Sequence, residues 1–405
     1  MRMPAILEPL RHRDFRLLWI GQTSSRLGDS AYVVALPLQV LAIGGGPLEL
    51  GIVFSLGSVS RIALLLVGGS VVDRLPRRRV LIATDAAEGL IVAAIALLGF
   101  TGMLEVEHLY LTAILFGALG AFFTPALGAI IPELVPEEIL VSGNALRGFS
   151  RQAGMILGPV IAGVLVAVSG PPAAFAFDAA TFGLSLLALV FISSRPGRAA
   201  RQGTSLLDEI RAGWSYTFSV PWLWITIFGF ALINAAVFGP ILIGLPILVV
   251  DELRANQSVY GLLLAAMGTG EVVGAVITAQ VRRGRSGTVM YLYIFVEGIA
   301  VALFATLAPI PVLLVLAGVI GYCIMGFTIL WESALQQHVP RELLGRVTSI
   351  DYFGAILIGP ITPIAAALLV AGIGAPLLFL WGGVVASVLC LLAITLPSIR
   401  RLRIA

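Results

Sequence analysis

From near its first residue to near its last, the chain alternates apolar stretches of about twenty residues or more with short polar loops. A helix needs roughly 20 apolar residues to cross a bilayer, and only helices or closed barrels satisfy their backbone inside one. Twelve stretches qualify, at about 15–43, 47–72, 80–100, 108–131, 138–168, 172–192, 222–250, 258–281, 288–307, 311–335, 343–371 and 375–396. They use up nearly all of the 405 residues, 59% of which are hydrophobic and 12% charged. No soluble domain of this length has such a balance. The sequence therefore predicts an all-α membrane protein of 12 transmembrane helices, and its 45 glycines suit closely packed helices.

All 25 basic residues are Arg. With the N-terminus taken as cytoplasmic, 20 of them fall in inner segments and only Arg254 falls in an outer loop. The remaining four, Arg26, Arg61, Arg147 and Arg151, lie inside spans. This asymmetry predicts cytoplasmic termini on both ends of an even number of helices. The absence of Lys removes Walker-type ATP hydrolysis and Schiff-base chemistry. His12, His108 and His338 are isolated, so no zinc-protease motif forms, and Cys323 and Cys390 read as packed thiols. No cofactor, metal site or enzyme constellation is expected. The net charge of +3 follows from topology and does not point to nucleic acid. The N-terminus shows no cleavable signal pattern. The longest polar stretch divides the chain into 1–193, a cytoplasmic linker at 194–220 and 221–405. Asp208, Glu209 and Arg211 beside Leu206, Leu207 and Trp214 predict a short surface helix in that linker.

The two halves repeat. Val135-Pro136-Glu137-Glu138-Ile139-Leu140 recurs as Val339-Pro340-Arg341-Glu342-Leu343-Leu344, an offset of 204 that also carries Pro159 onto Pro363. Near the second span the offset is 210, relating Gly51 to Gly261. Parallel repeats of six helices, related by an axis along the membrane normal, describe a transporter of two bundles. Between spans 2 and 3 the chain reads Gly69-Ser-Val-Val-Asp73-Arg74-Leu-Pro-Arg77-Arg78-Arg79. A four-residue gap puts Gly69 and Asp73 on one helix face. Gly69 lets another helix approach, Asp73 accepts hydrogen bonds from that neighbour's backbone, and the Arg cluster sits among lipid head groups. The loop is expected to act as an inner gate.

With these residues in place the chain resembles the major facilitator superfamily over nearly its full length. Gly69, Asp73, Arg74, Arg77 and Arg78 match the family's loop signature, with Pro76 where a glycine is usual. Gly154, Gly158, Pro159 and Gly163 resemble the glycine–proline motif of proton-coupled antiporters, Ala162 standing in one glycine position. The run from Pro132 to Gly163, with Asn144-Ala145-Leu146 and Gln152, and Phe177-Asp178-Ala179 resemble the branch holding macrolide and siderophore exporters. The resemblance implies alternating access, with spans 1, 4, 7 and 10 lining a cavity. It pairs span 2 with span 11 and span 5 with span 8, so that Asp73 caps span 11. It implies a monomeric, proton-coupled exporter of hydrophobic or amphipathic small molecules in the bacterial cytoplasmic membrane. The alternative cargo is a native metabolite such as a siderophore or lysophospholipid.

Ionisable groups within spans cost roughly 2.5–3.5 kcal/mol each on insertion scales, which makes each a functional candidate. The repeat offsets match Arg61 with Glu271 and Arg147 with Asp351, reversing the charge each time. With the family's helix pairing, Arg61 meets Asp351 and Arg147 meets Glu271 as two inter-bundle ion pairs; the bland alternative satisfies each Arg within its own bundle. Asp29, with Arg26 one turn earlier, and Glu271 are the main candidates for proton coupling, followed by Glu332 and Glu297. Asp85 and Glu88 are expected to pair with Arg74 or Arg77, Glu133 to join that network, and Asp178 to be structural. Tyr32, Phe122, Phe123, Asn234, Phe238, Tyr322, Phe327 and Trp331 lie on the spans expected to line the cavity, where rings would hold an apolar guest.

Overall fold

A computed structural model describes residues 5–193, 206–280 and 286–403. Six long helices form the first part of the chain: α1 (Arg13–Ala42), α2 (Pro47–Arg74), α3 (Arg77–Thr101), α4 (Val106–Leu134), α5 (Leu140–Ser169) and α6 (Pro171–Val190). A helix α7 (Leu206–Ser219) follows where the surface helix is expected, although the side chains of Asp208 and Glu209 and all of 194–205 lie outside the described residues. The second part contains α8 (Pro221–Gly239), α9 (Ser258–Thr278), α10 (Ser286–Leu303), α11 (Ile310–His338), α12 (Arg341–Leu357), α13 (Ile361–Ile373) and α14 (Ala375–Thr395).

Among the described residues, ten helices are long and apolar enough to cross a membrane by length and composition. The other two expected spans are α1, whose Arg26 and Asp29 lower its hydropathy, and the α12–α13 pair. Helix α8 continues through two π-helical turns, Pro240–Gly244 and Leu248–Glu252, to complete one span. Pro240 and Pro246 lack the N–H that an α-helix needs, and the wider turn absorbs the defect. Pro360 and Pro363 likewise remove two donors close together, and the eleventh span breaks between α12 and α13. Its repeat partner α5 carries only Pro159 and runs unbroken for 30 residues. The repeated Val-Pro steps behave alike: Val135 and Val339 are both extended and end α4 and α11, because a residue before proline is driven out of the helical region.

Cα proximity divides the chain into two compact units, residues 1–201 with 256–265, and residues 202–255 with 266–405. In the first, α1 packs on α6 and α5, α3 on α6, and α2 on α4. In the second, α10 packs on α14 and α11, and α14 on α8. Glycines make the closest approaches in both: Gly117 against the Gly57 carbonyl between α4 and α2, and Gly321 against the Met267 carbonyl between α11 and α9. Lipid gives helices no hydrophobic reason to associate, so such van der Waals contact holds them together. A cluster built on Phe15, Leu18, Val80, Leu81, Ile130, Ile131 and Leu189 fills the Arg-bearing end of the first unit.

Candidate functional site

The Arg loop is anchored within its own unit. Arg77 Nε lies 3.5 Å from Glu133 Oε1 at the end of α4. Arg78 Nε donates to the Leu189 carbonyl at 2.9 Å and its Nη2 to the Val190 carbonyl at 2.6 Å. The last carbonyls of a helix have no internal partner and carry partial negative charge, so a guanidinium fork suits the end of α6. Glu133 thus lies against the Arg loop. The glycine expectation needs correction: a Cβ on Gly69 would meet no described atom within 4 Å, whereas one on Gly68 would collide with the Ala121 carbonyl. The close approach to a neighbouring helix falls at Gly68, facing α4. Arg74 is exposed, and the side chain of Asp73 lies outside the described residues.

In α1, Arg26 Nη1 stands 3.5 Å from Asp29 Oδ2, one turn apart, with the two side chains 37% and 36% exposed. The motif glycines of α5 bring its backbone up to this turn. A Cβ on Gly154 would lie 3.0 Å from the Arg26 carbonyl, and one on Gly158 would lie 3.1 Å from the Leu27 carbonyl while overlapping Ser30. Gly163 and Pro159 face the start of α9, where a Cβ on Gly261 would overlap the Pro159 carbonyl and residues 256–265 group with the first unit. Gln22, Arg26, Arg147 and Ser150 share a small cleft with Trp19 and Leu127.

Behind α1 sits a group that sequence reasoning placed elsewhere. Asp85 is not at the Arg loop; its Oδ2 accepts from Ser185 Oγ at 2.6 Å, and Ser185 accepts from Gln22 Nε2 at 3.1 Å. Asp85 lies eight residues beyond Arg77, about 12 Å along the helix, and faces α6 instead of the loop. Glu88 is buried one turn further on, and Asp178 is fully buried in α6. Thr181 Oγ1 donates to the Asp178 carbonyl at 2.7 Å. The signal available in the sequence was the set of small polar residues, Ser25, Thr181 and Ser185, on apolar helices.

Of the charges set at mid-span, Arg61 and Asp351 have a hydrogen-bond partner in their own unit. Arg61 Nη2 donates to Thr124 Oγ1 at 3.2 Å, and Trp331 Nε1 donates to Asp351 Oδ2 at 3.0 Å. Glu271 is buried, as is Glu297, whereas Arg147 is exposed and Glu332 lies at the surface of α11. The aromatic candidates separate. Phe327 and Trp331 are buried; Phe327 stacks on Phe230 at 4.3 Å, and Trp222 meets Trp331 edge-on at 5.9 Å. Tyr32 is buried too, stacked on Phe116 at 5.1 Å. Phe122 and Phe123 pack partly buried on the apolar cluster of the first unit. Tyr322 OH lies 3.5 Å from Tyr293 OH, Asn234 is partly exposed, and Phe238 is 43% exposed.

Two helical units with charge in their interior and a repeated sequence are what a two-bundle membrane transporter is built from. The comparisons carry this further. The family model described as transmembrane secretion effector matches residues 5–403, and the chain belongs to that family. Curated relatives include the multidrug efflux pump Tap of Mycolicibacterium fortuitum, 27% identical over 96% of this chain and 97% of the relative. The enterobactin exporter EntS of Escherichia coli is 25% identical over 88% of each chain. Among solved structures, a bacterial homologue of iron transporter ferroportin superposes with TM-score 0.75 at 19% identity, covering 94% of this chain and 98% of that one. The nucleoside transporter NupG gives TM-score 0.72 at 14% identity over 94% of this chain and 98% of that one. The protein is a multi-span membrane transporter and not an enzyme.

Proposed function

We propose that this transporter exports hydrophobic or amphipathic small molecules by alternating access, in exchange for protons, across a bacterial cytoplasmic membrane with both termini inside. The observation that carries the coupling is the Arg26–Asp29 turn, 3.5 Å apart and one-third exposed, held against α5 by the motif glycines. A carboxylate beside a guanidinium stays ionised, and one separated from it in a dry site takes up a proton. Movement of α1 against α5 during the cycle changes that balance at Asp29. Glu271 and Glu332 are the secondary coupling candidates.

The gate comprises Gly69, Asp73, Arg74, Arg77, Arg78 and Glu133, with Asp73 latching the opposite bundle. Arg61 with Asp351, and Arg147 with Glu271, exchange their present surroundings for each other when the inner side closes. Residues 1–193 and 221–405 are the two moving bodies, 194–220 is their linker, and the monomer is the working unit. The cargo assignment draws on relatives named as multidrug efflux pumps; the relative named as an enterobactin exporter supports a siderophore-like metabolite as the alternative.

The test is drug uptake into everted vesicles from an exporter-deficient host, driven by an imposed pH gradient. Uptake that collapses with a protonophore and in Asp29→Asn supports proton exchange. Uptake indifferent to the gradient refutes it, and transport of a siderophore but of no apolar drug selects the alternative cargo.

A further inference from the structure

We propose that Asp85, Glu88 and Asp178 form a second proton-binding site, enclosed by α1, α3 and α6, which shares its protons with Asp29. For its role in transport this rests on the proton-exchange function above; the binding of protons does not.

The geometry begins with Gly28. A Cβ there would overlap Thr181 Oγ1 and Asp178 Oδ1 and stand 3.0 Å from the Asp178 Cα. Only a glycine lets α6 come this near, and the approach sets Asp178 against the backbone of the residue next to Asp29. Asp178 is 0% exposed and Asp85 1%, so neither carboxyl reaches water or lipid. Each has one oxygen, Asp178 Oδ2 and Asp85 Oδ1, buried with no hydrogen-bond partner. A buried carboxylate oxygen without a donor is costly, and a proton is the smallest ligand that removes the charge causing the cost.

Charge counting points the same way. Glu88 interacts electrostatically with Asp29 and Asp85, and Asp178 with Asp29 and Glu88. Tyr32, from α1, interacts electrostatically with Asp178 and Glu88. The cations reaching these acids are Arg26, which also pairs with Asp29, and Arg61 from α2, which reaches Glu88. Arg147, exposed on α5 beside the exposed Arg151, interacts electrostatically with Arg26. Like charges confined to one dry site cannot all ionise, so the site retains protons. Asp29 is the partly exposed member of the set, and the other three lie behind it. A proton leaving the Asp178 carboxyl for the Asp29 carboxylate breaks one O–H bond and forms another, and the negative charge moves inward by one step. On the far side, Gln22 lines the small cleft beside Arg26 and is joined to Asp85 through Ser185, which gives the store a polar link toward α5. The arrangement assigns Asp29 the exchange with the exterior and the three buried acids the reserve.

Infrared spectroscopy of the full chain reconstituted in liposomes tests this without any substrate, with pH as the only variable and deuterium exchange to mark carboxylic acids. The wild type is expected to show protonated-carboxyl absorbance at neutral pH, and Asp85→Asn and Asp178→Asn each to lose a distinct part of it. Ser185→Ala keeps every carboxyl and, if the Asn variants do not fold, serves alone: it is expected to shift the band whose acid it contacts. Asp29→Asn is expected to move the pH at which the remaining band disappears by about one unit, because a coupled charge has gone. Absorbance unchanged in the Asp85, Asp178 and Ser185 variants overturns the site. A band pH indifferent to Asp29→Asn overturns the sharing. Vesicle uptake that ignores the pH gradient while the bands behave as stated would remove proton-coupled export and leave the proton site standing.

Discussion

The two bundles fill their interiors with different chemistry. In the first, three carboxyls, Asp85, Glu88 and Asp178, are buried with Gln22, Ser185 and Thr181 around them. In the second, the axis of α8 and α11 is aromatic: Phe230 stacks on Phe327 and Phe327 on Trp331, Trp222 meets Trp331 edge-on, and Asp351 hangs on the Trp331 indole. Repeated sequence has therefore kept the helix scaffold while the buried side chains diverged. Buried acid matched by small polar donors is a place to hold protons; stacked rings with one polar handle recognise flat apolar surface. Under the proposed export, the contrast would place proton storage in the first bundle and ring contacts with cargo in the second, which also buries Glu271 and Glu297.

The division of labour breaks most severely at Asp29. Asp29→Asn is expected to lower gradient-driven uptake in everted vesicles by at least about 100-fold, the order of a lost proton-transfer group, while substrate exchange without a gradient persists. Loss of both activities together would put Asp29 in general architecture instead. Next is Gly28→Ala, which forces a methyl into Thr181 and Asp178 and is expected to destabilise the chain by about 1–3 kcal/mol. Gly69→Ala, with nothing near its Cβ, should stay within about 0.5 kcal/mol in the same thermal-unfolding assay.

Trp331→Phe keeps the ring but removes the donor to Asp351, leaving a partly buried carboxylate without that bond. A cost of about 1–3 kcal/mol and an altered drug profile with unchanged gradient dependence are expected. A changed gradient dependence instead would move proton coupling into the second bundle. Arg78→Ala frees the Leu189 and Val190 carbonyls and should cost about 1–2 kcal/mol, with partial recovery in Arg78→Lys because Lys lacks the fork.

Much of the scaffold was legible before any coordinates. Long apolar runs cannot fold otherwise in lipid, and the Val-Pro steps ended α4 and α11 where the repeat placed them. The Arg26–Asp29 contact followed from the spacing of one helix turn, and Arg77 could meet Glu133 because the start of α3 and the end of α4 come to the same side. Span eleven was harder: Pro360 and Pro363 look like ordinary membrane prolines until their two missing donors fall at one level and split the helix.

The chain by itself determined that it is built of membrane-spanning helices, where most of them stop, and that acids and guanidiniums sit among them, because hydropathy, proline and helix periodicity act locally. Which faces meet was decided only by packing. Asp85 turned to Ser185, Asp178 settled against Gly28, and the close approach fell at Gly68 instead of Gly69. A helix's rotation about its own axis is fixed by its neighbours' shapes, and a stretch that is apolar all round carries no mark of it.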